Sequence, residues 1–243
     1  MAKKSIKFEG VYFAYDHGME HGPTDFNEKS VFPEYIIEIA EKAEVGALIL
    51  LKGAAKRYYS RNCPIPLILK LNQKTRLYQG ESFSTQTCSV EEAIKLGASA
   101  VGYTIYFGSK YEKWMLREFG RIEEEASKYG VPTVMWAYPR GAAIKDDESP
   151  EMVAYAARAA MELGADVVKL KYPRDDSALD WIVKCAGRTR VFVAGGSKLT
   201  DDVFLENIRK AAKAGFSGVA VGRNVFQSGD PIKKLKELKE IFS

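Results

Sequence analysis

Several features that mark other classes of protein are scarce in this sequence of 243 residues. Its three cysteines, Cys63, Cys88 and Cys185, are widely spaced and form no CxxC pair, which argues against a disulfide framework, a zinc site or a redox pair. No apolar run approaches the roughly 18 residues of a membrane span, and the run at 11–15 ends at Asp16, too early for a signal peptide. Lys and Arg number 36 against 32 Asp and Glu, without a basic block, so no nucleic-acid partner is expected. We expect a globular protein of a reducing cytoplasm whose partner is a small anionic molecule.

A joint between a helix and a strand recurs along the chain. In four places an amphipathic segment ends at a glycine and a β-branched or aromatic run follows, at Gly97, Gly130, Gly164 and Gly215. Glycine adopts the left-handed conformation that commonly ends a helix. Typical helix starts are Ser89 with Glu92, Ser149 before Pro150, and Thr200 before Asp201. The chain is therefore predicted to alternate helices with strands.

Eight short apolar runs are candidate strands, at residues 11–15, 47–51, 67–71, 100–106, 132–138, 166–172, 191–196 and 218–223. Eight units in 243 residues allow about 30 residues each, the length of one βα unit. Apolar strands that alternate with helices predict a parallel sheet. We expect an α/β fold, a single (β/α)8 barrel domain over residues 1–243, with an open doubly wound sheet as the alternative. Residues 52–66 leave room for a short helix, and residues 72–87 are expected to form a long irregular loop.

Two lysines mark the sixth predicted strand. Lys169 and Lys171 are two residues apart, which places both side chains on one face of a strand. A buried lysine beside a second cation has a depressed pKa, and its neutral amine can form a Schiff base with a carbonyl carbon. The alternative is a lysine pair on an exposed or salt-bridged strand, and the local sequence does not decide between the two.

Aromatic residues mark the end of the fifth predicted strand. Trp136 and Tyr138 share a face, and Arg140 lies just beyond them. Tyr138 can transfer a proton if its surroundings lower its pKa, and an arginine at a strand end suits a phosphate. The alternative places both aromatic residues in the core.

Glycine-containing segments end the last two predicted strands. The seventh strand ends in Ala194, Gly195 and Gly196, and the eighth ends in Gly222 and Arg223. Glycines let backbone N–H groups approach a phosphate, and these are the loops where barrels bind one. Either segment alone is more typical of a turn. Together they predict a phosphate site, to which Lys198 adds charge unless it is only a solvated residue at a helix start.

A polar segment that holds both histidines of the chain follows the first predicted strand. His17, Glu20 and His21 have the spacing of an inverted zinc-protease helix, but the neighbouring glycines predict a loop, and no third ligand is evident. We therefore predict no metal site. The segment, with Asp25 close behind, is interpreted as binding a hydroxylated ligand; Asp16 lies close enough to the barrel axis to transfer protons, and Glu20 serves loop solvation or helix capping.

Longer motifs extend over nearly the whole chain. They are AYDHGMEHGP at 14–23, LILKLN at 67–72, CSVEEAIKLGASAVGYTIY at 88–106, WAYPRG at 136–141, VKLKY at 168–172, GG at 195–196 and AVGRNVFQ at 220–227. In these motifs the sequence resembles the archaeal-type class I fructose-bisphosphate aldolases of the DeoC/FbaB aldolase family, which are lysine-dependent (β/α)8 barrels.

The resemblance implies a metal-independent, cofactor-free lyase of glycolysis and gluconeogenesis. It would cleave fructose 1,6-bisphosphate reversibly into dihydroxyacetone phosphate and glyceraldehyde 3-phosphate. The resemblance implies that Lys169 forms the Schiff base, that Tyr138 is the acid and base, and that Asp16 contacts the substrate; with its predicted place near the barrel axis, Asp16 is also expected to be catalytic and to assist the loss of water. Substrate contacts are implied at His17, His21, Asp25, Trp136, Arg140, Lys171, Ala194, Gly195, Gly196, Gly222 and Arg223. Because related barrels assemble into rings, a homo-oligomer is also expected.

The sequence departs from the family pattern in two places. The segment before the first strand is short, which bears on stability or assembly, and Ala194 stands where a serine can occur, which removes one hydroxyl from the phosphate site. The nearest rival function is 2-amino-3,7-dideoxy-D-threo-hept-6-ulosonate synthase, against which Glu20, His21 and Trp136 weigh. A catalytically silent sugar-phosphate-binding barrel is the other rival, but it has no reason to retain the lysine, the tyrosine and the aspartate together.

Overall fold

The structure, a computed structural model, describes residues 4–196 and 199–243. Its strands are β1 (Gly10–Ala14), β2 (Ala47–Leu51), β3 (Leu67–Lys70), β4 (Asn72–Gln73), β5 (Thr85–Gln86), β6 (Ala98–Phe107), β7 (Thr133–Pro139), β8 (Val167–Leu170), β9 (Arg190–Ala194) and β10 (Gly218–Val221). Its helices are α1 (Gly18–His21), α2 (Pro33–Ala43), α3 (Lys52–Tyr58), α4 (Val90–Lys95), α5 (Glu112–Tyr129), α6 (Pro150–Glu162), α7 (Leu179–Ala186), α8 (Asp201–Lys213), α9 (Arg223–Phe226) and α10 (Pro231–Ile241). Lys198, which is predicted to add charge to the phosphate site, lies outside the described residues.

Eight parallel strands of the described chain close into a barrel. Their order around it is β1, β2, β3, β6, β7, β8, β9 and β10, and β10 pairs with β1. Each barrel strand lies at or within a few residues of a run predicted from the sequence. The closed ring confirms the (β/α)8 barrel and excludes the open sheet.

Local signals fix several helix ends where the sequence predicts them. The Ser89 hydroxyl accepts the Glu92 N–H at 3.1 Å, and the Ser149 hydroxyl accepts the Met152 N–H at 3.3 Å. Thr200 also precedes a helix, but its side chain forms no capping hydrogen bond. The four predicted helix-ending glycines all have positive φ. Each joint therefore turns the chain from the outer helical layer back into the barrel.

Two apolar layers hold the barrel together. One layer lies between the strands and the surrounding helices, and the other fills the barrel interior. The interior layer includes Ile6, from the short segment before β1, and Tyr12, whose hydroxyl donates to the Lys7 carbonyl oxygen at 2.5 Å. The short N-terminal segment thus closes the floor of the barrel.

The segment at residues 72–87 is more ordered than the sequence predicts. Its ends pair as the antiparallel strands β4 and β5. The buried Asn72 amide donates to the carbonyl oxygens of Ser84 and Thr104, and its Oδ1 accepts the Thr104 N–H at 2.8 Å. Sequence patterning missed this small sheet because the amide of Asn72, rather than an apolar run, holds it against β6.

None of the helices within the described ranges is long and apolar enough to cross a membrane.

Candidate active site

A cavity of about 450 Å³ opens at the carboxyl ends of the barrel strands. It is lined by nearly all of the residues singled out from the sequence, namely Asp16, His17, His21, Trp136, Tyr138, Arg140, Lys169, Lys171, Ala194, Gly195, Gly196, Gly222 and Arg223. Asp25 does not line it. Residues from the first, fifth, sixth, seventh and eighth predicted units thus meet in one place.

Lys169 lies on β8 and faces the cavity with only 8% of its surface exposed. Burial lowers the pKa of its amine to about 8; the charge of Asp16 opposes this shift, and the charge of Lys70 adds to it. A substantial neutral fraction is therefore present near neutral pH, as a nucleophile requires.

Lys171 lines the same cavity as Lys169, as its spacing predicts, but it lies just beyond the strand. Strand β8 ends at Leu170, and the Lys171 Nζ lies 2.6 Å from Asp147 Oδ2 and 3.3 Å from Glu148 Oε1. The prediction that Lys171 depresses the pKa of Lys169 is wrong, because the neighbouring lysine that acts on Lys169 is Lys70. Lys171 instead lines the outer cavity, held by two carboxylates.

Asp16 is the buried carboxylate of the cavity. Its Oδ2 lies 3.0 Å from the Nζ of Lys70, which stands at the end of β3. Burial alone raises the pKa of Asp16, but the charges of Lys70 and Lys169 outweigh it and hold the pKa at about 2. Asp16 is therefore an anion at neutral pH.

The indole ring of Trp136 lies close to the amines of both Lys70 and Lys169. The Nζ atoms of Lys70 and Lys169 each lie 5.3 Å from the centre of its ring, within the range of a cation–π contact. On the neighbouring strand β6, a side chain at Gly102 would overlap this ring. The indole fills the space that the absent side chain leaves.

Tyr138 stands two residues further along β7 and lines the same cavity. Burial, followed by the charges of Asp16 and Glu20, raises the pKa of its phenol above the ordinary value. The lowered pKa that the sequence analysis required of Tyr138 is therefore wrong. Tyr138 enters a reaction as a neutral phenol, which donates a proton before it can accept one.

Glu20 belongs to the cavity, although the sequence analysis assigned it to solvation or capping. It accepts a hydrogen bond from the Tyr106 hydroxyl at 3.0 Å, and its Oε1 lies 3.8 Å from Lys74 Nζ and 3.9 Å from Arg140 Nη1. Burial raises the pKa of Glu20, but the nearby lysines and this hydrogen bond lower it overall. Arg140 is held between Glu20 and Asp147, at the cavity wall.

The two glycine-containing segments adjoin one another. Arg223 donates from Nη2 to the Gly196 carbonyl oxygen at 3.1 Å. Gly195 is not a free donor, because its N–H bonds to the Ala220 carbonyl oxygen at 2.9 Å. A Cβ atom at position 222, just after β10, would lie 2.6 Å from the carbonyl oxygen of Ala14 at the end of β1. The close approach of the two segments therefore requires glycine.

Asn224 connects these two segments and is a residue that the sequence analysis missed. Its buried amide donates to the Gly195 carbonyl oxygen at 2.7 Å, and its Oδ1 accepts the Leu199 N–H at 3.0 Å. Asn224 therefore connects Gly195 and Leu199 through one side chain. The AVGRNVFQ motif contains it, but its partners are distant in sequence.

The segment after β1 is helical, which corrects the predicted loop. The N–H of His21 donates to the His17 carbonyl oxygen at 2.8 Å, so one helical turn, α1, joins the two histidines. Gly22, with a φ of 82°, ends this turn. The glycine signals marked the end of a turn rather than a loop. Within the described residues, no three His, Cys, Asp or Glu side chains group so as to hold a metal ion.

The two histidines are neutral, and Asp25 lies behind one of them. Burial lowers the pKa of His17 to about 4, and burial followed by Arg223 lowers that of His21. Asp25 Oδ2 lies 3.6 Å from His21 Nδ1 and 3.5 Å from Arg223 Nη1. Because His21 is neutral, the charged partner of Asp25 is Arg223, which Asp25 holds at the cavity wall.

A buried lysine of lowered pKa, facing a carboxylate and a phenol beside a glycine–arginine anion site, defines a Schiff-base-forming barrel enzyme. The DeoC/LacD family aldolase model matches residues 11–228, and the chain belongs to this family.

Relatives extend this similarity over nearly the whole chain. The fructose-bisphosphate aldolase class 1 of Thermoproteus tenax is 48% identical, over 96% of this chain and 89% of its own length. A Methanocaldococcus jannaschii fructose-bisphosphate aldolase/6-deoxy-5-ketofructose 1-phosphate synthase is 36% identical, over 89% of this chain and 75% of its own. A solved archaeal fructose-1,6-bisphosphate aldolase, with its catalytic lysine bound to the carbinolamine intermediate, superimposes with a TM-score of 0.92 at 47% identity, covering 96% of this chain and 93% of its own. The family predicted from the sequence motifs is confirmed.

Proposed function

We propose that the protein is a class I fructose-1,6-bisphosphate aldolase that cleaves its substrate through a Schiff base on Lys169. The observation that carries the proposal is the buried Lys169 amine, with its lowered pKa, in a cavity that Asp16, Tyr138 and two arginines also line. The relatives that match over most of the chain are class 1 enzymes of this name. No step of the proposed reaction needs a metal ion.

The first half of the reaction forms the iminium. The neutral amine of Lys169 adds to the C2 carbonyl carbon and gives a carbinolamine. The Tyr138 phenol protonates the departing hydroxyl, water leaves, and an iminium cation forms beside the Tyr138 phenolate. The carboxylate of Asp16, an anion at neutral pH, stabilises this cation.

The second half breaks the carbon–carbon bond. The Tyr138 phenolate takes the proton of the C4 hydroxyl, the C3–C4 bond breaks, and its electron pair moves to the iminium to give an enamine. Glyceraldehyde 3-phosphate leaves. Tyr138 returns its proton to C3, and addition of water to the iminium releases dihydroxyacetone phosphate and restores Lys169.

The phosphates are assigned to the two sides of the cavity. The C1 phosphate would bind at Gly196, Gly222 and Arg223, where glycines allow close approach and a guanidinium supplies charge. The other phosphate would bind near Arg140. The hydroxyl groups between them face His17 and His21, whose imidazoles are neutral hydrogen-bonding groups.

Cleavage of fructose 1,6-bisphosphate in excess EDTA tests the proposal, with triose phosphate release followed through an EDTA-insensitive coupled dehydrogenase. We expect the wild-type protein to cleave the substrate and Lys169→Met to lose at least about 10³-fold in kcat, since the nucleophile is gone. Lys95→Met removes an exposed lysine on α4 outside the cavity and serves as the matched control.

Full activity of Lys169→Met would contradict the assignment of the nucleophile. Absence of cleavage by folded wild-type protein over a range of temperatures would contradict the function and favour the synthase or the silent barrel.

We also propose that the protein acts in a reducing cytoplasm as a homo-oligomer. All three cysteines are free, and burial raises the pKa of Cys63 to about 11, which keeps this thiol unreactive. Cell fractionation tests the compartment.

A further inference from the structure

Lys70 is a second buried lysine in the cavity, and the reaction described above gives it no task. Only 4% of its surface is exposed. Burial of an ammonium group is costly unless it is paired. The observed partner of Lys70 is Asp16, whose Oδ2 lies 3.0 Å away.

Lys70 and Lys169 lie near the same two groups, the Trp136 ring and the Asp16 carboxylate. Their Nζ atoms lie at the same distance, 5.3 Å, from the centre of the Trp136 ring, and both act on the charge of Asp16. Lys70, however, is in direct contact with the carboxylate. The two lysines therefore compete for one anion, and Lys70 holds it.

This competition adds to the effect of burial on the charge of Lys169. A carboxylate paired with Lys169 alone would favour its ammonium form, which is not a nucleophile. A second cation beside Lys169 favours the neutral amine instead. Like charges in a site of low dielectric constant oppose each other more strongly than in water.

We propose that Lys70 is a positioning residue for Schiff-base formation: it occupies Asp16 as a fixed ion-pair partner and adds a second positive charge to the site of Lys169, which increases the fraction of Lys169 in the neutral, nucleophilic form. The same ion pair keeps Asp16 anionic and in place to face the iminium. The inference rests on the proposed role of Lys169 as nucleophile.

Other charged groups that act on Lys169 set the background for this effect. Glu20 on α1 favours its ammonium form, as does Asp16, whereas Arg223 at the start of α9 opposes it. Tyr138 on β7 is a neutral phenol and contributes no charge. A change at Lys70 removes none of these four groups, so a shift in the titration of Lys169 reports on Lys70 and on the carboxylate that Lys70 holds.

The test measures how the trapping of dihydroxyacetone phosphate by cyanoborohydride depends on pH, with the modified protein quantified by mass spectrometry. In the wild type, trapping should rise with pH through about 8, as Lys169 loses its proton. Lys70→Gln keeps a hydrogen-bond donor for Asp16 but removes the charge. We expect its profile to move to higher pH by one unit or more, with trapping at pH 7 reduced about tenfold and restored near pH 10. Lys70→Arg retains the charge and should retain the wild-type profile.

A second variant covers the case in which Lys70→Gln does not fold. Lys70→Gln combined with Asp16→Asn removes the buried ion pair as a unit and leaves no unpaired charge. In the single variant, the unpaired Asp16 carboxylate raises the pKa of Lys169. Without that carboxylate, the trapping profile of the double variant should lie at the same pH as that of the wild type or at a lower pH.

The trapping experiment separates a failure of the proposed function from a failure of the role of Lys70. A wild-type protein that is never trapped contradicts the proposed Schiff-base function. If the wild type is trapped but the apparent pKa of trapping is unchanged or lower in Lys70→Gln, the role of Lys70 is contradicted. A raised apparent pKa in the double variant contradicts it as well. Both results leave the aldolase assignment intact.

Discussion

At the scale of single residues, the charge states within the cavity follow from burial and from two or three neighbours each. Burial lowers the pKa of Lys169 and raises that of Tyr138, so both groups favour their neutral forms. Asp16, by contrast, remains an anion at neutral pH, because the charges of Lys70 and Lys169 act against its burial. The nucleophile and the acid are thus ready in the free protein, and the carboxylate supplies the charge that the iminium needs.

The neutral state of Tyr138 leads to a prediction for Tyr138→Phe. Without the phenol, neither the leaving hydroxyl nor the C4 hydroxyl has a proton partner, so kcat should fall by about 10²–10⁴ while KM changes little. Steady-state cleavage assays measure the loss. Tyr103→Phe is the control, because this buried hydroxyl on β6 bonds to Glu118, and neither residue lines the cavity. Equal losses in both variants would show that the effect comes from packing and would contradict the role of Tyr138.

The sequence identified Lys169 and missed Lys70 for a physical reason. Each is a lysine at the end of an apolar strand, so the local signal is the same. What marks Lys70 as a residue of the site is its contact with Asp16 and its position near the ring of Trp136, and barrel closure creates both. The cation expected beside Lys169 was therefore assigned to the lysine nearest in sequence rather than to the one nearest in space.

At the scale of elements, hydrogen bonds hold Gly195 and Leu199, after β9, in the free protein. The Gly195 N–H bonds to Ala220, and Asn224 holds the Gly195 carbonyl oxygen and the Leu199 N–H. A site held in this way loses little conformational freedom on binding.

Asn224→Ala is expected to weaken phosphate binding and to affect the chemistry less. Loss of two buried hydrogen bonds should raise KM for fructose 1,6-bisphosphate by about 10–100-fold, with a smaller change in kcat. Trapping of unphosphorylated dihydroxyacetone should be unaffected, which separates a positioning role from general damage. Asn62→Ala removes an exposed asparagine between α3 and β3 and is the control. Equal weakening for both ketoses would contradict the role of Asn224.

The predicted elements agree best where the signal is local. Glycines with positive φ end the helices as expected, because this conformation depends on a single residue. The single turn α1 and the small sheet of β4 and β5 were missed, since hydrogen bonds to distant segments or within one turn hold them and no periodic pattern marks them.

At the scale of the whole molecule, the repeat of strand and helix predicted the barrel, but not what covers its surface. The outer faces of α6 and α7 expose two large aromatic side chains, Tyr155 at 60% and Trp181 at 62%. Exposed aromatic residues on neighbouring helices are typical of contact surfaces between proteins. They support the proposed homo-oligomer.

Light scattering coupled to size-exclusion chromatography measures the mass in solution. We expect a value several times the chain mass of 27.1 kDa, because burial of such aromatic surface stabilises association. Dilution over a hundredfold range serves as the control for weak, concentration-driven association. A mass of 27.1 kDa at every concentration would contradict the homo-oligomer.

The contact between Gly102 and Trp136 has a consequence for how the cavity can change over evolution or by engineering. A side chain at position 102 is blocked while the indole is present, whereas a smaller residue at position 136 would open space beside it. The order of substitution therefore matters: residue 136 must shrink before residue 102 can grow. The cavity surface beside the two lysines therefore depends on residues of two strands, β6 and β7. A substrate preference that needs a different surface there requires at least two substitutions, made in this order.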